Sequence, residues 1–318
     1  MIPGVVGSSQ YVLPFANVKT VTYGNSASVP SIPPASDGTT YYAYDNDSTK
    51  IKQASTYPSE IYFDKAPGAL NATNNLNNNA TYENGRFFFT NFSAGHIYTW
   101  VNPGDSVTTV TIATPAPRII KWFAPMNAWV GVGSTGVVFT STNGTTWTSR
   151  TAPTTSNLNA LATDGTTLVA AGQNGVMFTT TSTNPASITW TSRTSSFGST
   201  DITTVQFKNE NWVASADAGL VAYSTNGTSW TQKTTGIPTG AGSTGQAFGL
   251  YYHMGKWTIV TRGTAGSNDS ALAYSNTSNP SGSWTVASTT SPAAAGRTFS
   301  DGKYLIWVTR NGVLRYCR

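Results

Sequence analysis

The stretch Ser141-Thr142-Asn143-Gly144-Thr145-Thr146-Trp147 recurs as Ser224-Thr225-Asn226-Gly227-Thr228-Ser229-Trp230. In each copy an Asn-Gly pair separates a hydrophobic run from a tryptophan, the composition of a tight hairpin that turns through positive φ. Each copy is therefore read as a corner between two strands, and distances along the sequence are measured outward from it.

The spacing around these corners is regular. A glycine follows a hydrophobic pair after the same seven residues at Trp129 to Gly136, Leu168 to Gly175, Trp212 to Gly219 and Leu305 to Gly312, and Phe88 to Gly95 repeats the step. From glycine to hairpin tryptophan is eleven residues at Gly136 to Trp147 and at Gly219 to Trp230, while Gly175 to Trp190 carries four more in its turn. Between these marks lie short alternating segments bounded by Gly and Asn, the pattern of strands and turns. One unit reads as Leu158 to Ala162, Thr167 to Ala171, Val176 to Thr181 and Ile188 to Arg193. Repeats of about 40 residues with four strands are the signature of propeller blades.

Counting outward predicts an all-β protein, a single β-propeller domain over 1–318. Its four-stranded blades fall near 17–65, 69–113, 118–150, 158–193, 202–233, 247–287 and 293–318. The last blade is one strand short, and an open sheet edge invites aggregation. The N-terminal run 8–14, around Gln10-Tyr11-Val12-Leu13, is expected to supply the missing strand and close the ring. Seven blades result, with six or eight left open by the weak periodicity of the first 80 residues. The Asn-rich stretch Asn71 to Asn79 reads as a blade-to-blade loop.

Composition fits this architecture. Only 10% of the 318 residues are charged, 10 Trp, 15 Tyr and 13 Phe supply large apolar surfaces, and no stretch sustains a helical apolar period. The formal charge of +5 is scattered from Lys19 to Arg318 without a cluster, which argues against nucleic acid as partner. Cys317 is the single cysteine, so no intrachain disulfide is expected, and His96 and His253 have no metal-ligand partner at a recognisable spacing. No cofactor or metal is predicted. Met1-Ile2-Pro3-Gly4 lacks the start of a secretory leader, and no apolar run approaches a membrane span, so no membrane insertion is expected.

The hairpin resembles the Asp-box (BNR) repeat of sialidase-type β-propellers and their non-enzymatic relatives, whose box reads Ser-x-Asp-x-Gly-x-Thr-Trp. Ser141, Asn143, Gly144, Thr146 and Trp147 match it, as do Ser224, Asn226, Gly227, Ser229 and Trp230, with Asn in place of Asp and a turn one residue shorter. Trp190 and Trp284 keep the tryptophan on degenerate turns. The likeness spans about the central half of the sequence and implies fold more than function. Physically the motif is a staple: Asn accepts a backbone hydrogen bond two residues on, Gly takes positive φ, and Trp covers the turn. The strands after it end in Arg150, Arg193 and Lys233. These cations either blunt an outer sheet edge or form a belt facing an acidic partner.

The resemblance also implies what a sialidase needs: three arginines on a carboxylate, a Tyr–Glu nucleophile pair and an acidic Asp. Against nine arginines stand only Glu60, Glu83 and Glu210, and Pro117-Arg118-Ile119-Ile120 is similar to the Arg-Ile-Pro element with its proline on the wrong side. The catalytic set does not transfer. Asp45-Asn46-Asp47-Ser48 has calcium-like oxygen density but lacks the glycine and terminal glutamate of a hand-type loop. What remains is a binding face of second-to-third-strand turns and blade connections: Gln173, Asn174, Asp217, Arg262 to Asp269, Arg310, Asn311 and the Thr234 to Gly245 connection. The sequence-level expectation is a non-enzymatic virion protein of a tailed bacteriophage, bound to other virion proteins or host-surface glycans and located in the particle. The alternatives are a sialidase-like carbohydrate-active enzyme and a cellular propeller scaffold for protein assembly.

Overall fold

The computed structural model describes residues 19–21, 35–37, 39–45, 50–54, 63–64, 80–102, 104–237, 247–262, 270–287, 295–300, 305–309 and 314–317. Among them are seven antiparallel sheets of four strands each, the arrangement of a β-propeller. Six sheets run in sequence order, as in Pro117–Phe123, Ala128–Gly133, Val138–Ser141 and Thr148–Arg150. The seventh holds Ala295–Ser300, Leu305–Thr309 and Leu314–Cys317, and its fourth strand is Lys19–Val21, with Lys19 opposite Tyr316 and Val21 opposite Leu314. The N-terminal segment thus closes the last blade, as expected, but with residues 19–21; the stretch 8–14 lies outside the described residues. The adjoining sheet consequently starts later than expected, at Ala35–Ser36, and continues through Tyr41–Asp45, Lys50–Ala54 and Phe63–Asp64.

Burial explains the strand sequences. Second strands are closed in on both faces: every residue of Ala128–Gly133 and of Leu168–Gly172 is buried. A strand covered on both sides reads as a continuous apolar run instead of an alternating one, and Ala-Trp-Val-Gly-Val-Gly and Leu-Val-Ala-Ala-Gly are such runs. Outer strands are nearly bare, with Thr148–Ser149 and Thr191–Ser192 exposed. Inner strands are intermediate, with buried and half-buried positions mixed along Pro117–Phe123.

The core lies between blades. One cluster joins Phe123, Val130 and Val138 to Leu158, Leu161 and Phe178 of the next blade; another joins Val169 and Met177 to Ile202, Val205 and Trp212. A third packs Phe88 and Ile97 on Ile120 and Trp129. Trp212 and Trp257, at equivalent places in their second strands, are fully buried. At about 25 cal/mol per Å² these interlocked apolar faces are the main stabilisation holding neighbouring blades together.

In three blades the second-to-third-strand turn is one short 3-10 step: Ser134–Gly136, Gln173–Gly175 and Asp217–Gly219. The recurring glycines end these turns at φ +72, +67 and +69, with Gly95 at +70. Space as well as φ demands them. A Cβ on Gly136 would sit 1.9 Å from the Thr154 carbonyl oxygen, and one on Gly175 would sit 2.0 Å from that of Gly198. The connection to the following blade lies directly on the turn, so the seven-residue step in the sequence marks where one blade docks on the path to the next.

Candidate functional site

Up-and-down strand order puts the second-to-third-strand turns and the blade connections at one end of the molecule, and the Asn-Gly hairpins at the other. The hairpin end is consumed by its own bonding. Asn143 Oδ1 accepts the Thr145 and Thr146 N–H groups at 3.0 and 2.8 Å, Ser141 Oγ accepts Gly144 N–H at 2.8 Å, and Trp147 Nε1 donates to the Gly144 carbonyl at 3.2 Å. Asn226, Ser224 and Trp230 repeat this set on Thr228, Ser229 and Gly227 at 2.9 to 3.1 Å. The staple is as expected, with two refinements. Left-handed φ falls on Gly144 and Gly227 and not on the asparagines, and the tryptophan also bonds the turn through its ring N–H.

The degenerate 182–190 turn has a separate task. Its Pro185 carbonyl accepts from Thr140 Oγ1 at 3.1 Å and its Ala186 carbonyl from Arg150 Nη1 at 3.4 Å, so the four extra residues strap this blade to the preceding one. Arg150 Nε and Arg193 Nε also donate to Thr140 and Thr179 of the neighbouring strand at 2.8 and 2.9 Å. Of these two cations of the alternative belt, Arg193 latches its own sheet and Arg150 both its own sheet and the next blade.

Glu83 and Glu210 do not come together. Glu83 pairs with Lys121 Nζ of the next blade and accepts Trp122 N–H at 3.3 Å, while its carbonyl accepts Trp129 Nε1 at 3.0 Å. It is a blade-to-blade brace. Glu210 is exposed on a first-to-second-strand turn at φ 59, and Glu60 lies outside the described residues. His96 meets Thr111 Oγ1 at 3.3 Å in its own blade, and His253 is 1% exposed at the end of Ala247–His253. Among the described residues no group of three His, Cys, Asp or Glu is placed to hold a metal, and no helix is long and apolar enough to cross a membrane.

On the turn end, the structure gives Gln173, Asn174 and Asp217 clasping roles. Asn157 and Asp201, each just ahead of an inner strand, reach back to the preceding blade, where their side-chain Oδ1 atoms accept Thr135 N–H at 2.9 Å and Asn174 N–H at 2.8 Å. Their carbonyls accept Gln173 and Asp217 N–H within their own blades at 2.8 and 3.0 Å. Thr135 and Asn174 have φ of 53 and 59, so the clasp holds its donor in the left-handed region. Arg262 ends the strand Lys256–Arg262, opposite Ser270; its side chain, Asp269, Arg310, Asn311 and the 238–246 connection are outside the described residues.

The junction between the 80–111 and 117–150 blades breaks this pattern. Ala116 stands where Asn157 and Asp201 stand elsewhere, so the clasping side chain is missing and the link is a backbone bond from Ala116 N–H to the Phe92 carbonyl at 3.0 Å. Two residues on, Arg118 occupies the bulge that begins the inner strand, and its guanidinium carbon lies 4.6 Å from the centre of the Phe92 ring. The equivalent bulge residues of the next two blades bond to protein: Asn159 Nδ2 to the Ile202 carbonyl at 3.2 Å, and Thr203 Oγ1 to the Ser215 carbonyl at 3.2 Å. Arg118 has no such bond among the described residues. Its Nε is buried and without a hydrogen-bond partner. Burial lowers its pKa from the ordinary arginine value, with no acid acting on it, yet a guanidinium stays charged in proteins. Arg118 itself is half-buried.

Sequence reasoning noticed Arg118 only for its proline neighbour. The usable signal was the comparison of aligned positions, where Ala116 and Arg118 replace Asn157 and Asn159.

No family model and no curated protein matches the sequence. Solved structures share its fold over nearly its whole length. Virginiamycin B lyase from Staphylococcus aureus aligns at a TM-score of 0.72 and 12% identity, covering 94% of this protein and 98% of that one. A catalytically inactive histidine-to-alanine variant of it with quinupristin aligns with the same values. YCF48 bound to D1 peptide aligns at 0.68 and 10%, covering 94% of each protein. At such identities the likeness shows the fold alone. Two expectations are corrected by it: the structures that share the fold here are a lyase and a peptide-bound protein, nothing in them points to a virion component, and the phage virion reading is withdrawn. The expectation of a non-enzyme, drawn from the decayed Asp-box pattern, falls with it, because an enzyme is among the proteins that share this fold.

Proposed function

We propose that this protein is a propeller scaffold for protein assembly, receiving an extended segment of a partner protein on its turn end at the junction between Phe92 and Arg118. The observation that carries the reading is Arg118: a desolvated cation with no acid beside it, at the one described junction where the side-chain clasp is absent. A partly desolvated charge with no counter-charge beside it costs free energy, and an acidic group of a partner arriving across the turn end offsets that cost. The YCF48 structure with a D1 peptide supports the reading by analogy of fold. The Asn-Gly-x-x-Trp hairpins belong to this proposal as Asp-box turns in which asparagine does the work of aspartate. Their support is the Oδ1 atom that accepts two successive backbone N–H groups in both copies.

Hydrogen–deuterium exchange with unlabelled acidic decapeptides tests the proposal. Protection is expected at 92–95, 116–119 and 133–136, with the 142–147 and 225–230 hairpins unchanged. Protection of the hairpins instead, or none anywhere at millimolar peptide, would refute it.

A further inference from the structure

We infer that Arg118 is a carboxylate receptor that grips its ligand end-on through its two terminal nitrogens, Nη1 and Nη2. The inference rests on the peptide-binding reading of the same site.

The geometry leaves the guanidinium few ways to bind. The guanidinium carbon lies over the Phe92 ring at 4.6 Å from its centre, which adds a cation–π attraction and closes that approach. The Nε edge is sealed by the surrounding protein and has no partner there. Nη1 and Nη2 form no hydrogen bond among the described residues, and neither is among the buried unpartnered atoms, so both remain open to solvent. The open edge therefore presents two parallel N–H donors about 2.3 Å apart, the spacing of the two oxygens of a carboxylate, and such fork-to-fork pairs are among the strong hydrogen bonds of proteins.

Three other arginines whose side chains are described are arranged differently. Arg86 Nη1 donates to Thr99 Oγ1 at 3.4 Å, Arg150 Nε to Thr140 Oγ1 at 2.8 Å and Arg193 Nε to Thr179 Oγ1 at 2.9 Å. Lys121, on the same inner strand, is neutralised by Glu83. Arg118 is thus the cation in this part of the molecule that lies over an aromatic ring, partly stripped of water and left with its donor pair outward. Backbone constraint reinforces the placement. Arg118 sits in a bulge between Pro117 and Ile119, its carbonyl accepts Thr90 Oγ1 at 3.3 Å, and its N–H lies 2.9 Å from where a Cβ on Gly133 would be. The backbone from which the stem leaves cannot shift without disturbing two strands.

The carboxylate has two chemical sources in a protein, the terminal α-carboxylate and an Asp or Glu side group, and the test separates them. Isothermal titration calorimetry would use three unlabelled neutral-bodied octapeptides: one with a free C-terminus, one amidated with a central glutamate, and one amidated without any acid. At least one of the first two is expected to bind about tenfold or more tightly than the third, as a charge-assisted bidentate pair requires. Replacing Arg118→Lys, which keeps the charge but not the fork, should remove most of that preference, and Arg118→Ala all of it. Arg193→Ala, on an outer strand of another blade, should change nothing. Equal binding of all three peptides by the unaltered protein overturns the inference without any variant and leaves the peptide-binding reading standing. So does a preference that survives both Arg118 variants. Absence of binding by all three overturns both.

Discussion

The glycines that punctuate the sequence offer the sharpest test of how the blades are joined. Gly165 and Gly175 lie in the same blade, and both have left-handed φ, +95 and +67. An alanine in that region costs about 1 to 2 kcal/mol at either site, offset by a few tenths of a kcal/mol to about 1 kcal/mol because alanine also restricts the unfolded state. Beyond this the two differ. Nothing lies within 4 Å of a Cβ on Gly165, whereas a Cβ on Gly175 would be 2.0 Å from the Gly198 oxygen and 3.0 Å from its carbon. Because those neighbours are backbone, the connection 194–201 has to retreat by about an ångström, an overpacking cost of about 1 to 3 kcal/mol. The retreat also loosens the bond from Ser195 Oγ to the Gly175 carbonyl at 2.8 Å, worth about 1 kcal/mol. Gly175→Ala is therefore expected to lose about 3 to 5 kcal/mol and Gly165→Ala about 1 kcal/mol or less. Urea unfolding followed by tryptophan fluorescence reads both midpoints. Equal losses would mean that the repeated glycine is there only for its φ, and the docking argument would be wrong.

Two further outcomes are expected. Asn226→Ala removes an acceptor shared by Ser224 Oγ and the Thr228 and Ser229 N–H groups, and by analogy with lost caps should lower stability by about 1 to 2 kcal/mol; an unchanged unfolding midpoint would remove the staple reading. The third outcome concerns acid. Burial raises the pKa of Asp37, but N–H and hydroxyl bonds from Thr40 and Thr39 outweigh it and leave the value below 3.8. Because the folded value is depressed, the stabilisation is present above the unfolded pKa of about 3.9 and is lost as pH falls through the folded one. The stability gap between the protein and its Asp37→Asn variant should accordingly be constant near neutrality and shrink below about pH 4. Urea midpoints at several pH values measure it, and a gap that widens in acid would contradict the assignment.

The hairpin at Ser141 to Trp147, the seven-residue glycine step and the outer-strand arginines were all legible in the sequence because each answers to local geometry. A left-handed turn, a close backbone approach and an exposed edge each narrow the choice of residue at one position, and repetition makes the narrowing visible. The four-strand unit followed, and with it the propeller. Even the closure was foreseeable, since an unpaired edge has to be covered. Which N-terminal residues cover it was not, because Lys19-Thr20-Val21 is too short to carry a pattern and its selection depends on the far end of the sequence.

The binding end belongs to the tertiary structure for the same reason in stronger form. Gln173, Asn174 and Asp217 read in the sequence as turn residues of a binding face; Asn174 proves to be held by Asp201 across a junction, and Gln173 and Asp217 by the carbonyls of Asn157 and Asp201 in their own blades. Glu83, in the sequence only one of three glutamates, braces the next blade. Arg118 and Phe92 are 26 residues apart in different blades, and nothing local in either stretch records that one ring will lie under the other's guanidinium. Short-range residue choice fixed the repeat and therefore the architecture. The charge left unanswered at one junction arises from contacts between blades, and only their packing together could bring it into being.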